Sequence, residues 1–204
     1  MRKMIYIILG ILIIYFILKI GKKTNWNLEH NVGEVIDKYN NVNVYYNGGV
    51  SNTGERNLTA DGYNIGMKYQ CVEFTKRYYY EYLHHKMPDT YGNAKDFYDK
   101  TISDGNLNIK RNLIQYSNPS AIKPQLDDIL IFDKSIFNFY GHVAIISKVE
   151  NNFIEIIQQN PGPFGKSRQK ILLNYENNFW TLQNNRILGR LALNKRENSR
   201  ILKR

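Results

Sequence analysis

The chain contains a single cysteine, Cys71, in a setting that permits nucleophilic chemistry. A lone cysteine cannot form an internal disulfide or a cysteine-rich metal site, but its thiolate can attack a carbonyl carbon when a base stands beside it. His142, at the start of an apolar run, is the candidate base. Of the other histidines, the adjacent pair His84 and His85 cannot share a metal in the i,i+4 manner. This pattern predicts cysteine chemistry with no metal and no other cofactor.

The residues after Cys71 are expected to form a helix that begins at the cysteine. The run to Leu83 lacks glycine and proline and repeats apolar residues every three or four positions, and residues 84–88 contain basic residues and a proline that would end it. The first turn of a helix lowers the pKa of a thiol, and a neighbouring imidazolium lowers it further. The backbone N–H of Cys71, helped by the Gln70 side chain, could stabilise an oxyanion. Tyr69 would line the substrate cleft or pack in the core.

A structural role for Cys71 is the competing interpretation. A cysteine at the start of an apolar helix is most often a small buried core residue, and an isolated histidine is most often structural. Further motifs must therefore decide between the two.

The second half of the chain changes from helical to strand periodicity. A turn at residues 150–152 separates two of the predicted strands. Helical sequence first and antiparallel strands later describe an α+β domain. The predicted strands cover 129–132, 142–149, 153–157 and 187–193; short elements are expected at 32–37 and 42–46 and a second helix at 94–100, whereas 50–68 and 106–124 are predicted to be loops.

The N-terminal residues are expected to form a single transmembrane helix. Residues 4–18 are apolar apart from one glycine and two tyrosines, and Lys19 can snorkel so that the membrane segment reaches Ile20. At ~1.5 Å per residue this run spans about 25 Å, slightly less than a bilayer core. A cleaved secretory signal is the alternative, but a cleavage site requires small residues after the apolar run, and this run ends in Leu-Lys-Ile-Gly-Lys-Lys at residues 18–23. We favour an anchor that places the following domain outside the cytoplasm, in the periplasm or at the cell surface.

The positive charge of the chain is concentrated at its two ends. The formal net charge is +10, and residues 1–23 and 194–204 carry almost all of it. Nucleic-acid binding is disfavoured because it would require a basic face on the folded body. The sequence thus predicts an anchor or signal at 1–23, a linker at 24–31, one domain at 32–193 and a basic tail at 194–204.

The motifs around the cysteine and the histidine, taken together, resemble the CHAP family of cysteine- and histidine-dependent amidohydrolases and peptidases. They comprise residues 66–74, 128–132, 141–146 and 158–160. The likeness runs from about 32 to 193 and is strongest to the amidase domain of bifunctional glutathionylspermidine synthetase/amidase. It implies a papain-like fold in which the helix bearing Cys71 packs on an antiparallel sheet. It also implies amide hydrolysis with Cys71 as nucleophile and His142 as base and then acid.

The chain departs from the family pattern at two positions. Gln158 stands where the family usually has Glu, or sometimes Asn or Asp, to orient the histidine. A glutamine carbonyl can accept the imidazole Nδ1–H bond but brings no negative charge, so either an active enzyme with a weaker base or an inactive relative is expected. Glu155 is a poor substitute because strand alternation places it on the face opposite Gln158. The second departure is Asp127, where the family commonly has glycine.

The resulting hypothesis is a membrane-anchored amidase with a peptide or amide substrate. Tethering near a cell wall favours cleavage of wall peptides, with peptidoglycan as the expected partner. The sequence likeness favours a second candidate, a peptide–polyamine amide. A third candidate is a non-catalytic binding module of the same fold, motivated by Gln158.

Overall fold

The computed structural model describes residues 2–136 and 138–194 as an α+β structure with antiparallel sheets, which confirms the predicted fold class. The basic residues predicted to form the tail lie outside the described residues. The helices are α1 (Arg2–Gly21) and α2 (Cys71–Glu81), with a 3₁₀ helix at Ala94–Phe97. The strands are β1 (Val35–Tyr39), β2 (Val42–Tyr45), β3 (Arg56–Leu58), β4 (Asn64–Met67), β5 (Asn106–Asn108), β6 (Leu113–Ser117), β7 (Ile129–Phe132), β8 (His142–Val149), β9 (Phe153–Ile157), β10 (Arg168–Glu176), β11 (Phe179–Leu182) and β12 (Ile187–Ala192).

The main sheet has eight strands in the order β11-β10-β9-β8-β7-β12-β6-β5, and β1-β2 and β3-β4 form two small hairpins. All the strand pairs in these sheets are antiparallel. The central strand β7 is buried on both faces, which explains why its sequence is continuously apolar rather than alternating. Ile129 and Ile131 pack towards α2, whereas Leu130 and Phe132 belong to a second cluster on the other face.

Helix α2 packs its aromatic side on the sheet. Phe74, Tyr78 and Tyr79 are fully buried and share a core cluster with Val143 and Ile145 of β8. Burying a large apolar side chain contributes about 1.5–3 kcal/mol. This packing fixes the position of α2 along the strands of the sheet, so the start of α2 lies next to the start of β8.

The turn before β7 explains one departure from the family pattern. Asp127 has a φ of +70°, a left-handed conformation that glycine adopts most readily. The Tyr78 hydroxyl donates to the Asp127 carboxylate at 2.6 Å, and the Tyr79 hydroxyl donates to its backbone oxygen at 2.7 Å. The two tyrosines of α2 therefore hold the aspartate in a turn that glycine would form more easily.

Four sequence predictions were wrong in their details. Residues 50–68 and 106–124 were expected to be loops, but they contain β3, β4, β5 and β6. These strands are three to five residues long and rich in polar side chains, so they lack an apolar period. The helix expected at 94–100 is only the 3₁₀ turn at Ala94–Phe97, and α2 ends at Glu81 rather than near Leu83.

Helix α1 is the one helix among the described residues that is long and apolar enough to cross a membrane. None of its 20 residues is buried. A signal sequence near the N-terminus would have the same length and composition, and the side of the membrane on which the domain lies does not follow from the helix. The segment that follows α1 contacts the domain, since the Tyr46 hydroxyl donates to the Asn25 side chain at 2.8 Å and Asn27 donates to the Pro163 carbonyl at 3.1 Å.

Candidate active site

Cys71 is the first residue of α2, as the sequence predicts. The backbone turns sharply into the helix, with Tyr69 at a φ of +67° and Gln70 in an extended conformation. Cys71 is buried, and backbone N–H groups of Cys71, Val72 and Val143 are directed at its sulfur. These donors lower the pKa of the thiol, but burial has the larger effect and raises it. The helix start therefore does not produce the low thiol pKa that position alone suggests.

The contact with Val143 places the sulfur beside the residue that follows His142. The hydrogen bonds among the described residues do not include one between the Cys71 sulfur and the imidazole. In resting enzymes such contacts are often longer than in the reacting complex.

Gly141 fixes the backbone just before His142. It has a φ of +75°, and an added Cβ would lie 2.6 Å from the Phe132 carbonyl oxygen and 2.8 Å from the Lys95 Cβ. Only glycine fits this close approach without displacing neighbouring chain. Gly66 plays a similar part next to α2, with a φ of +135° and the Glu73 backbone 3.2 Å from a Cβ position.

His142 and Gln158 form a direct hydrogen bond. The imidazole Nε2 lies 2.8 Å from the Gln158 Oε1, so the ring nitrogen facing the glutamine is Nε2 and not the expected Nδ1. A carbonyl oxygen only accepts, so Nε2 carries the proton and the neutral ring presents its lone pair at Nδ1. This is the tautomer in which Nδ1 can take a proton from a thiol.

The Gln158 amide is itself held in one orientation. Its Nε2 donates to the Lys166 carbonyl at 3.0 Å, and its backbone N–H donates to the Ser167 carbonyl at 2.9 Å. The side chain is buried, so exchanging its amide oxygen and nitrogen would break both side-chain bonds. The loop at residues 166–167 thus fixes the Gln158 amide so that its oxygen, a hydrogen-bond acceptor, faces the histidine.

Burial lowers the pKa of His142 to about 4, and the nearby positive charge of Arg186 lowers it further, against the opposing hydrogen bond to Gln158. Arg186 donates to the Asp133 carbonyl at 3.1 Å, next to the turn that leads towards His142. Sequence reasoning did not identify Arg186, because it lies 44 positions from the histidine with no motif around it. The imidazole is neutral at pH 7.

A buried network joins α2 to the residue after Gln158. The Glu73 carboxylate accepts from Arg77 Nε at 2.7 Å and from Gln159 Nε2 at 2.8 Å. Gln159 Nε2 also donates to the Gln70 carbonyl at 3.0 Å, directly before Cys71. Glu73 and Arg77 thus form a buried salt bridge within α2. Gln159 was not predicted as a site residue, although it ties the start of α2 to the end of β9.

Gln70 lines a cavity of about 630 Å³ together with Cys71 and Gly141. Its Oε1 accepts from Asn160 Nδ2 at 2.9 Å, and its Nε2 donates one hydrogen to the Asn52 carbonyl. The second Nε2 hydrogen can donate elsewhere. Gln70 is therefore held at the cavity wall with one donor to spare.

Tyr69 and Glu155 lie elsewhere. The Tyr69 ring packs 5.4 Å from that of Tyr45, and Tyr69 is not among the residues that line the cavity, so a substrate-binding role for it stays a prediction. Glu155 pairs with Arg168 at 3.1 Å on the face away from Gln158, as strand alternation predicts.

Comparison with known families bears directly on this geometry. The CHAP domain family model matches residues 61–160. The CHAP match contains Cys71, His142 and Gln158, and it confirms the resemblance described from the sequence motifs. CHAP domains are hydrolases, so the match indicates amidase or peptidase activity.

One similar curated protein is trypanothione synthetase of Crithidia fasciculata, with 32% identity over 108 residues. The aligned part covers 53% of this chain but only 16% of the relative. The similarity is therefore to a small portion of a much longer protein.

Proposed function

We propose that this chain is a cysteine-dependent amidohydrolase in which Cys71 is the nucleophile, His142 is the general base and then acid, and Gln158 orients the imidazole. The observation that carries the proposal is the His142–Gln158 bond of 2.8 Å, which leaves Nδ1 as the basic nitrogen of the residue that precedes Val143, whose backbone N–H contacts the sulfur. The CHAP match over residues 61–160 supports the same reaction class.

The reaction begins from a neutral thiol and a neutral imidazole. The sulfur attacks the amide carbon while the thiol proton moves to His142 Nδ1, so no stable thiolate–imidazolium pair is needed beforehand. The carbonyl oxygen gains negative charge, which the Cys71 backbone N–H and the spare Nε2 hydrogen of Gln70 stabilise.

The second half of the reaction reverses the proton transfer. Nδ1–H protonates the leaving nitrogen, the C–N bond breaks, and a thioester on Cys71 remains. His142 then removes a proton from water as the water attacks the thioester, and it returns that proton to the sulfur when the acid product leaves. Gln158 keeps the ring in the same tautomer in both halves.

The proposed substrate is a cell-wall peptide. We also propose that residues 4–20 anchor the chain in a membrane, with the domain outside the cytoplasm. The support for this assignment is the exposed apolar helix α1 directly before the domain. Zymography on peptidoglycan tests it, with clearing expected for the wild-type chain and lost in Cys71→Ala. Equal clearing by both proteins, or none by the wild type, would reject wall hydrolysis.

The similarity to trypanothione synthetase favours a second candidate, an amide between a peptide and a polyamine. Incubation with glutathionylspermidine, followed by mass detection of free spermidine, decides between the two substrates. Hydrolysis of neither substrate, with Cys71 no more reactive towards iodoacetamide than a free thiol, would favour a binding module that keeps the fold without the reaction.

A further inference from the structure

The end of α1 and the residues after it form a wall of the cavity that contains Cys71. Lys19, Lys22 and Lys23 line this cavity together with the cysteine. The backbone holds the wall in place, because the Ser51 N–H donates to the Lys22 carbonyl at 3.0 Å. The domain alone therefore does not complete the cavity.

Gly49 permits this contact between the wall and the domain. A Cβ added at Gly49 would lie 2.4 Å from the Lys22 carbonyl oxygen and 2.9 Å from the Lys23 carbonyl carbon. These are backbone atoms, which cannot rotate away as a side chain would. A larger residue at this position must push the three lysines away from the cysteine.

The cavity wall carries positive charge without compensating acids. Arg56 joins the three lysines, and no aspartate or glutamate lines the cavity among the described residues. None of the four cations forms a salt bridge within the described chain. The acid beside Arg56, Glu55, pairs with Lys68 at 3.3 Å.

Aromatic rings hold three of the four cations without neutralising them. The Lys19 Nζ lies 5.9 Å from the centre of the Tyr15 ring. The Lys22 Nζ lies 5.5 Å from the centre of the Phe139 ring, and the Arg56 guanidinium lies 5.3 Å from that of Tyr91. A cation on an aromatic face keeps its full charge and remains able to donate to an anion. Four like charges around one cavity create a field that attracts an anionic group and repels a cationic one.

We propose that the substrate of this site carries an anionic group, a carboxylate or a phosphate, close to the amide that is cleaved, and that Lys19, Lys22, Lys23 and Arg56 bind it. The inference rests on the proposed function, because it takes Cys71 as the reacting atom. In this proposal, the end of α1 and the residues that follow it bind the substrate and also connect the helix to the domain.

Paired alkylating reagents test the charge preference without requiring hydrolysis. Iodoacetate and iodoacetamide transfer similar groups to sulfur but differ in charge, and intact mass reports the rate for each, with Cys71→Ala as the blank. In the full chain in detergent, the triple variant Lys19→Gln/Lys22→Gln/Lys23→Gln is expected to lower the iodoacetate-to-iodoacetamide rate ratio about tenfold. The rate with iodoacetamide should stay within about twofold of the wild type.

Two matched controls separate local charge from net charge and from folding. Lys38→Gln/Lys100→Gln/Lys170→Gln removes the same charge from exposed positions outside the cavity and should leave the ratio unchanged. Gly49→Ala should lower the ratio with every charge retained. Gly54→Ala should not, because its Cβ would meet only the Lys68 side chain and backbone, at 3.5 Å and 3.9 Å.

Protection experiments distinguish the two anions. Acetate or inorganic phosphate is added during iodoacetamide labelling, and the anion that slows labelling of the wild type but not of the triple lysine variant identifies the preferred group. An unchanged rate ratio in the triple variant, or an equal fall in the remote-lysine control, overturns the inference. A shifted ratio with no hydrolysis of any amide would overturn the proposed activity instead, and a folded-state Cys71 that neither reagent labels contradicts both.

Discussion

Burial opposes charge on both Cys71 and His142, so the two groups proposed to react are neutral at pH 7. An ion pair formed in advance would require a low thiol pKa and a high imidazole pKa, and the structure has the reverse of each. The neutral Gln158 fits this state, because an amide oxygen supports a neutral imidazole without demanding a positive charge on it. The residue that departs from the family pattern is thus consistent with the charge state of its partner.

The pH dependence of the reaction follows from the pKa of His142. The neutral ring is the base, so kcat/KM for amide hydrolysis should rise with pH through about 4 and level off towards neutral pH. Arg186→Gln removes a nearby positive charge and should move this acid limb to higher pH, whereas Arg186→Lys keeps the charge and should leave it in place. An acid limb near the ordinary histidine pKa in the wild type would contradict a lowered pKa for the base.

Gln158→Glu tests the orienting role through two opposite effects. A carboxylate opposite Nε2–H stabilises the imidazolium, so the acid limb of kcat/KM should move upward. In the wild type, the Gln158 Nε2 donates to the Lys166 carbonyl at 3.0 Å. The second carboxylate oxygen of the glutamate cannot donate to this carbonyl, and losing the bond should cost about 1–3 kcal/mol of stability. Titration of kcat/KM and urea unfolding measure the two effects. Gln158→Leu, which cannot accept from His142, should lose activity, and an unshifted acid limb in Gln158→Glu would argue against the assignment.

Among the secondary-structure elements, α2 and the strands that flank the site could be predicted from sequence, because long apolar runs determine them. The short strands β3 to β6 could not, since they are only three to five residues long, mix polar with apolar side chains and are held in place by tertiary pairing. The same distinction applies to the site. Cys71, His142 and Gln158 are recognisable by residue type and motif. Gln159 lies in the motif at 158–160, but its bond to the Gln70 carbonyl, 89 positions away, leaves no sequence pattern. Arg186 and Lys22 lie outside the motifs, and their contacts are likewise with distant parts of the chain.

The buried Glu73 network connects α2 to the end of β9, and its loss should destabilise the fold. Glu73→Ala leaves the buried Arg77 guanidinium without its carboxylate, which should cost about 3–5 kcal/mol in the free energy of unfolding. Glu81→Ala is the matched control, because Glu81 is exposed on the same helix and should change stability by no more than about 0.5 kcal/mol. Urea unfolding measures both variants, and equal losses would mean that the network contributes little.

Gly141→Ala tests how the turn before β8 positions His142. The left-handed backbone and the contact at 2.6 Å with the Phe132 carbonyl predict a cost of about 1–3 kcal/mol and a displaced imidazole. The hydrolysis rate, divided by the concentration of folded protein, should therefore be lower than in the wild type. This normalisation separates a displaced imidazole from a simple loss of folded chain. Normal activity in a destabilised Gly141→Ala protein would show that the turn supports folding without positioning the histidine.

At the scale of the whole molecule, the apolar helix and the domain are joined by residues that contact both. The segment predicted to be a linker, residues 24–31, bonds to the domain through Asn25 and Asn27. The lysines that precede it line the cavity of Cys71. A cleaved α1 would remove part of this cavity wall, so retention of the helix and completeness of the site are linked.

The full chain is therefore expected to remain in the membrane with α1 attached. The apolar part of α1, residues 4–20, spans about 25 Å, slightly less than a bilayer core, and none of the residues of α1 is buried by the domain. After expression, the protein should stay with membranes washed in alkaline carbonate, and its intact mass should include residues 2–21. A soluble product that begins after Gly21 would identify a cleaved signal instead. Such a product would also lack Lys19, so its iodoacetate-to-iodoacetamide ratio at Cys71 should lie below that of the intact chain.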